Sequence, residues 1–257
     1  MNSKTPLILI SNDDGYQAPG INKLVDMLRP LDVKILVCAP DGPRSGYSCA
    51  FSSELPLRLW HMWSDDKVDV WACNGTPVDC VKLAIDQLLE GKMPDMVIGG
   101  INHGDNSTVN NHYSGTMGIA KEGCMKYIPS IAFSSCYYNH DANFEPLSEY
   151  VRNIVSNVLA NGLPRGVCLN VNFPAMQEFK GVKVCRMTFG RWINEVVKAH
   201  QPRGYDYYWM VGEYANDEPT AEDTDQWALS HGYVAITPTR IDVTAYEMID
   251  TIKNWNL

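Results

Sequence analysis

Leu7-Ile8-Leu9-Ile10-Ser11-Asn12-Asp13-Asp14-Gly15 is the stretch on which the fold turns. Four consecutive apolar residues fit a strand covered on both faces, because successive side chains point to opposite sides and both sides here are apolar. The run stops at a polar turn of one amide, two carboxylates and a glycine. A helix pattern begins at Pro19, with Ile21, Leu24, Val25 and Leu28 on one face, and Pro30 closes it. Val33 to Ala39 is a second apolar run. Strand, helix and strand between residues 7 and 39 make a βαβ unit with a right-handed crossover.

Working outward, the pattern recurs. Asn74-Gly75-Thr76-Pro77 precedes Val78, Val81, Ile85 and Leu88, which predicts a helix capped by Thr76, begun at Pro77 and closed by Gly91. Met96 to Gly100 reads as a buried strand, Gly115 to Met125 as a helix and Ser130 to Ser134 as a strand. Pro146 to Leu159 reads as a helix and Val167 to Phe173 as a strand. The first 135 residues therefore predict an open, mainly parallel α/β sheet. After residue 174 the texture changes. Segments 182–187, 192–199 and 207–211 are short and β-prone, fitting hairpins or an arm. Residues 216–225 are acidic and predict a surface loop. Val234 to Thr237 predicts a strand ending before Pro238, and Val243 to Trp255 a closing helix.

The 257 residues can bury a sizeable core, and 45% hydrophobic against 20% charged content excludes a disordered chain or a long solvated coiled coil. No apolar run is long enough for a membrane span, and no basic region precedes an apolar stretch and cleavage site, so a cytoplasmic protein without membrane contact is expected. The 21 basic and 30 acidic residues leave a formal net charge of −9, which repels extended nucleic acid. A small phosphate ligand stays compatible with that sign, because a bound cation reverses the local potential. The eight cysteines include no CxxC pair and several lie in apolar segments, so buried free thiols are expected rather than a disulfide framework or a zinc site.

Open parallel sheets bind ligands outside the carboxyl ends of their strands, where Asn12, Asp13, Asp14 and Gly15 fall. Two adjacent carboxylates and an amide cluster acceptor oxygens and suit a hard divalent cation such as Mg²⁺ or Mn²⁺. The alternative is a capped turn, since Asp, Asn and Gly are ordinary turn residues. A dinucleotide site is excluded: there is no GxGxxG, and these carboxylates would repel a pyrophosphate. Two further loops fall at the same edge. Asp41-Gly42-Pro43-Arg44-Ser45-Gly46 offers a cation and a hydroxyl, and Gly99-Gly100-Ile101-Asn102-His103-Gly104 an amide and an imidazole. Tyr113-Ser114-Gly115-Thr116 then enters a helix whose free N–H groups can hold an anion. Convergence of these loops predicts a metal and phosphate site.

On these residues the chain resembles the SurE family of survival proteins, metal-dependent 5′/3′-nucleotidases. The motifs run almost end to end: ILISNDDGYQAPGI at 8–21, APDGPRSGYS at 39–48, NGTPVDCV at 74–81, GINHG at 100–104 and YSGT at 113–116. LNVNFP follows at 169–174, PRGYDYYW at 202–209 and TDQWALSHGYVAITP at 224–238. The resemblance implies one domain over 1–257 with a three-layer, Rossmann-like, mainly parallel sheet. It also implies a β-rich extension at about 175–235 used to form a homodimer or homotetramer. By position it implies metal ligation by Asp13, Asp14, Ser45 and Asn102, one divalent cation per subunit, with Asn12 as the neighbouring catalytic amide. Ser114, Gly115 and Thr116 match the phosphate-holding segment. The implied substrates are nucleoside monophosphates and other small phosphomonoesters.

One stretch departs from the family pattern. Between the Asn102 loop and YSGT that pattern usually carries a glycine and two carboxylates, where this chain has Thr108, Val109 and Asn110. The turn is expected to lose flexibility and negative charge, which bears on substrate preference. Asp13 is expected to act directly, by attack or as a base on water, with Asp14 mainly holding the metal. Arg44 could neutralise phosphate, and His103 could assist. The aromatic cluster Tyr205, Tyr207, Tyr208 and Trp209 reads as arm packing or a subunit interface before it reads as a base-stacking surface. A nucleotide- or metal-binding module without catalysis is the alternative of a different class. Among enzymes, the alternative is a broad phosphatase acting on non-nucleotide phosphomonoesters or short polyphosphate.

Overall fold

The computed structural model describes residues 5–138 and 142–256. Strand β1 (Leu7–Ser11), helix α1 (Pro19–Leu28) and strand β2 (Lys34–Pro40) form the opening βαβ unit, with β1 and β2 parallel. Two strands that hydropathy does not single out follow, β3 (Leu59–Ser64) and β4 (Val68–Cys73). β4 interleaves Asp69 with apolar residues and β3 is largely exposed, so neither makes a continuous apolar run. Next come α2 (Pro77–Leu83), β5 (Met96–His103), the single turn α3 (Asn110–Tyr113), α4 (Gly115–Met125), β6 (Ser130–Ser135), α5 (Ser148–Asn161) and β7 (Val167–Phe173).

The extension supplies β8 (Val182–Val184), β9 (Gly190–Ile193), β10 (Val196–His200), β11 (Asp206–Met210) and β12 (Glu213–Asn216). Helix α6 (Asp225–Ser230), strand β13 (Val234–Arg240) and helix α7 (Tyr246–Lys253) complete the chain. The nine-stranded sheet has the order β3-β4-β2-β1-β5-β6-β7-β13-β8, and the run from β4 to β7 is all parallel. β13 runs antiparallel to β7 and passes through Pro238 rather than stopping before it. β8 pairs only with Val234 to Ile236, so the proline, which cannot donate, sits beyond the reach of that neighbour.

Alternation along β1 explains the three layers. Ile8 and Ile10 pack on one face with Leu24 and Leu28 of α1 and Val151 and Val155 of α5. Leu9 packs on the other face with Cys80, Val81 and Ile85 from the α2 segment and Ile119 of α4. Both faces of the parallel strands are thus covered, which is why they read as unbroken apolar runs. Six of the eight cysteines are buried and none of the eight is in a disulfide; Cys49 is exposed, against expectation, because it lies in the loop after β2.

The cap of α2 also fixes the loop that follows β2. Thr76 Oγ1 accepts from the Asp79 N–H at 3.1 Å, and Asp79 accepts from the Thr76 N–H at 2.9 Å. The Asp79 carboxylate further accepts from the N–H and hydroxyl of Ser52 at 2.9 and 2.8 Å. Asp79→Ala strands three donors, so we expect a loss of about 2–4 kcal/mol, read as a lower denaturation midpoint at unchanged slope.

Beyond β8 the extension leaves the main sheet. β9 pairs with β12, and β10 with β11 as a separate arm carrying Tyr207, Tyr208 and Trp209, all exposed. No residue of α7 is buried. Asp225, placed by its sequence at the end of an exposed acidic loop, is completely buried.

Candidate active site

The site lies where the strand order reverses. β2 flanks β1 on one side and β5 flanks it on the other, so the loops leaving β1 and β5 part at the carboxyl edge and open a crevice. The first of these loops is shaped by Asn12, which is fully buried. Its Nδ2 donates to the Gly15 carbonyl at 2.9 Å and its Oδ1 accepts the Gly15 N–H at 3.2 Å. The amide expected at the reacting centre is thereby occupied in closing the turn. Gly15 sits at φ +104°, a conformation other residues adopt only under strain.

Asp13 is 5% exposed, and its Oδ1 accepts from the Thr116 hydroxyl at 2.6 Å. Its carbonyl accepts the Arg44 N–H at 2.7 Å, which joins the loop after β2 to the turn after β1. Burial pushes the Asp13 carboxyl up to about 6; the Thr116 hydroxyl opposes the rise and the neighbouring Asp14 charge adds to it. The Asp14 Oδ2 lies 3.5 Å from both the backbone nitrogen and Nδ1 of His103. Gly115 leaves room for Asp13 only because it has no side chain: a Cβ there would lie 2.9 Å from the Asp13 Cβ.

The end of β5 brings in Asn102. A register shift against β6 between Gly99 and Asn102 breaks the ladder and re-aims the strand. The Asn102 Nδ2 donates to the Gly104 carbonyl at 2.8 Å, so the end left to meet a cation is the oxygen. Ser114 caps α4, its Oγ accepting the Met117 N–H at 3.0 Å. The N–H groups of Gly115 and Thr116 in the first turn have no intrahelical acceptor and suit an anion.

A cavity of about 290 Å³ gathers Asp13, Ser45, Asn102 and Ser114, with His103 also on its wall. Asp14 faces His103, and Thr116 stands behind Asp13, its hydroxyl bonded to the carboxylate. Arg44 takes another course. Its guanidinium donates to Asp41 at 2.8 Å and to the Pro43 carbonyl at 2.9 Å, and it does not line the cavity. A carboxylate three residues earlier in the same turn captures it. Among the described residues, no group of three or more His, Cys, Asp and Glu is arranged to hold a metal ion. The oxygen donors here are two carboxylates, one hydroxyl and one amide.

The altered loop is well tied down. The Asn106 N–H donates to Asn172 Oδ1 at 2.9 Å and its Nδ2 to Ser134 Oγ at 2.8 Å, while its carbonyl accepts from Asn170 Nδ2 at 2.8 Å. Thr108 adopts φ +54°, and its N–H donates to Asp225 at 2.9 Å. Asn110 accepts from the Trp192 indole at 3.0 Å, and both line the cavity. Trp192 and Asp225 were missed by sequence reasoning. Trp192 showed only as one tryptophan in a β-prone segment, and Asp225 only as the second residue of the TDQWALSHGYVAITP motif, with no role attached to it.

Comparison with known proteins bears on the same residues. The sequence profile described as Survival protein SurE matches residues 8–194. The chain is 55% identical over 257 residues to a 5'-nucleotidase SurE of Phocaeicola vulgatus, covering all of this chain and 99% of the relative. It is 51% identical to a 5'-nucleotidase SurE of Bacteroides fragilis, with both chains covered completely. The crystal structure of the SurE protein from Aquifex aeolicus superposes with a TM-score of 0.81 at 38% identity, covering 96% of this chain and 98% of that one. The chain belongs to the SurE survival-protein family.

Proposed function

We propose that this hydrolase cleaves nucleoside 5′-monophosphates, and 3′-monophosphates, to nucleoside and phosphate at the crevice between β1 and β5. The observation that carries this reading is the buried Asp13 carboxylate at the mouth of α4, beside Asp14 and facing Ser45, Asn102 and Ser114. A carboxylate so buried, with a second one adjacent and no cationic side chain paired to it among the described residues, is the environment that a hard cation compensates. Asp13, Asp14, Ser45 and Asn102 would hold one divalent ion, Mg²⁺ or Mn²⁺, through oxygen alone. When bound there, such an ion supplies positive charge against the phosphoryl oxygens.

The residues of the chain do the remaining work. The first-turn N–H groups of α4 and the Ser114 hydroxyl hold the phosphate. The Thr116 hydroxyl holds Asp13 in one orientation, leaving its second oxygen toward the reacting centre. Eight cysteines outside any disulfide suit a reducing compartment and support a cytoplasmic location. The arm exposes Val196, Val197, Tyr208, Trp209 and Met210, α7 exposes Met248, Ile249 and Ile252, and Trp255 is exposed just beyond it. Apolar surface on that scale supports assembly into a homodimer or homotetramer.

Phosphate release from 5′-AMP, 3′-AMP and glucose 6-phosphate, with Mn²⁺ or Mg²⁺ and after exhaustive chelation, tests the proposal. We expect release from the nucleotides, falling by about 100-fold or more on chelation and returning with metal. Undiminished turnover after chelation overturns the metal assignment. Nucleotide binding without phosphate release under any divalent ion overturns hydrolysis.

A further inference from the structure

We infer that Asp225 is a positioning residue for the substrate-facing loop, so that the β-rich extension forms part of the site and selects the nucleoside portion of the substrate. The inference rests on the reading of the cavity given above. Asp225 opens α6 and is completely buried. Its Oδ1 accepts from the Thr188 N–H at 3.0 Å, the Thr188 hydroxyl at 2.6 Å and the Gln226 N–H at 2.8 Å. Its Oδ2 accepts from the Thr108 N–H at 2.9 Å. Four donors on one carboxylate satisfy a buried charge that would otherwise be costly, and charge-assisted bonds of this kind hold geometry tightly.

The two ends of this bridge belong to different parts of the chain. Thr188 leads into β9 of the extension, and Thr108 sits in the loop whose Asn106 and Asn110 line the cavity. Thr108 is held at φ +54°, which an unconstrained threonine avoids, so its anchor decides whether the loop keeps this path. A second strut runs parallel to the first, from Trp192 on β9 to Asn110. The proposed metal ligands lie elsewhere, on the loops after β1 and β2 and on β5. Loss of the bridge therefore leaves the reacting centre in place and loosens the wall beyond it, where a substrate larger than its phosphate must lie.

Asp225→Asn isolates the effect. All four partners are donors, so an amide must turn its nitrogen toward one of them; with Oδ1 kept on the Thr188 side, the Thr108 bond is lost. We expect KM for 5′-AMP to rise about 10-fold with kcat within about 3-fold, and both constants for p-nitrophenyl phosphate to stay within about 2-fold. Amide exchange over residues 106–110 should quicken by about 10-fold or more. Thr188→Val removes the hydroxyl that donates to Asp225 and accepts the Gln226 N–H at 3.1 Å, leaves the Thr108 bond in place, and should move the same readouts less; it carries the test if Asp225→Asn does not fold. An unchanged KM for 5′-AMP in a folded variant, or equal losses on both substrates, overturns the inference. Unchanged exchange over 106–110 overturns it whatever the activity. Failure of the wild-type protein to release phosphate from either substrate refutes the hydrolytic reading instead.

Discussion

Asp13→Asn should abolish phosphate release, with kcat lowered by about 1,000-fold or more, and at the same time stabilise the metal-free protein at alkaline pH. The two effects have one cause. The carboxylate is buried, and Asp14 beside it adds repulsion that the Thr116 hydroxyl only partly offsets. Its carboxyl is raised from 3.8 to about 6. The folded state therefore prefers the protonated acid, and the stabilising contribution is complete below the unfolded pKa. It is lost as pH rises through about 4 to 6, and a two-unit shift makes that loss about 3 kcal/mol. Asparagine cannot ionise, so the variant should show no such decline. Thermal unfolding of both chelated proteins at pH 4 and pH 8 checks it: the variant should gain on the wild type only at the higher pH. Saturating Mn²⁺ should restore the wild type at pH 8 and leave the variant nearly unmoved.

Gly115→Ala carries the second large effect, by steric means and with no charge altered. The added methyl would lie 2.9 Å from the Asp13 Cβ and 3.2 Å from its Oδ2. Asp13 is attached to a short turn closed by Asn12, and α4 is packed through Met117 and Ile119, so neither side yields freely. The displacement falls on the carboxylate itself. A misplacement approaching 1 Å costs about 100-fold, so kcat should fall by that order while KM for nucleotide changes little. Helix propensity favours alanine over glycine by about 1 kcal/mol, which offsets part of the steric cost to stability. A fall in kcat far exceeding any fall in melting temperature is the expected signature. Wild-type kcat in this variant would refute the close packing of Gly115 on Asp13.

The fold was legible where burial is two-sided. Leu7 to Ile10, Ile35 to Ala39 and Met96 to Ile98 face helices on both sides, so composition alone marks them as strands. β3 and β9 were hard to see because each has an exposed side and no continuous apolar run. The turn after β1 was legible as a candidate site because carboxylates at a strand's carboxyl end are chemically conspicuous. Its partners were less so. Thr116 meets Asp13 across 103 residues, Trp192 meets Asn110 across 82, and Asp225 meets Thr108 across 117. Threonine, tryptophan and aspartate carry no local mark of such contacts. Arg44 is the reverse case: its charge suggested phosphate, while in the structure Asp41 three residues earlier holds its guanidinium. The altered loop was expected to lose flexibility, and Thr108 at φ +54° with its anchor on Asp225 gives that expectation a physical form.

The proposed mechanism requires one divalent ion held by four oxygen-bearing residues at the β1–β5 crevice. Anomalous diffraction from crystals grown with Mn²⁺ locates it directly. A single strong peak per subunit, ligated by Asp13, Asp14, Ser45 and Asn102 and lost in Asp13→Asn, is the expected result. A peak away from these residues, or none at Mn²⁺ concentrations that sustain full activity, would contradict it.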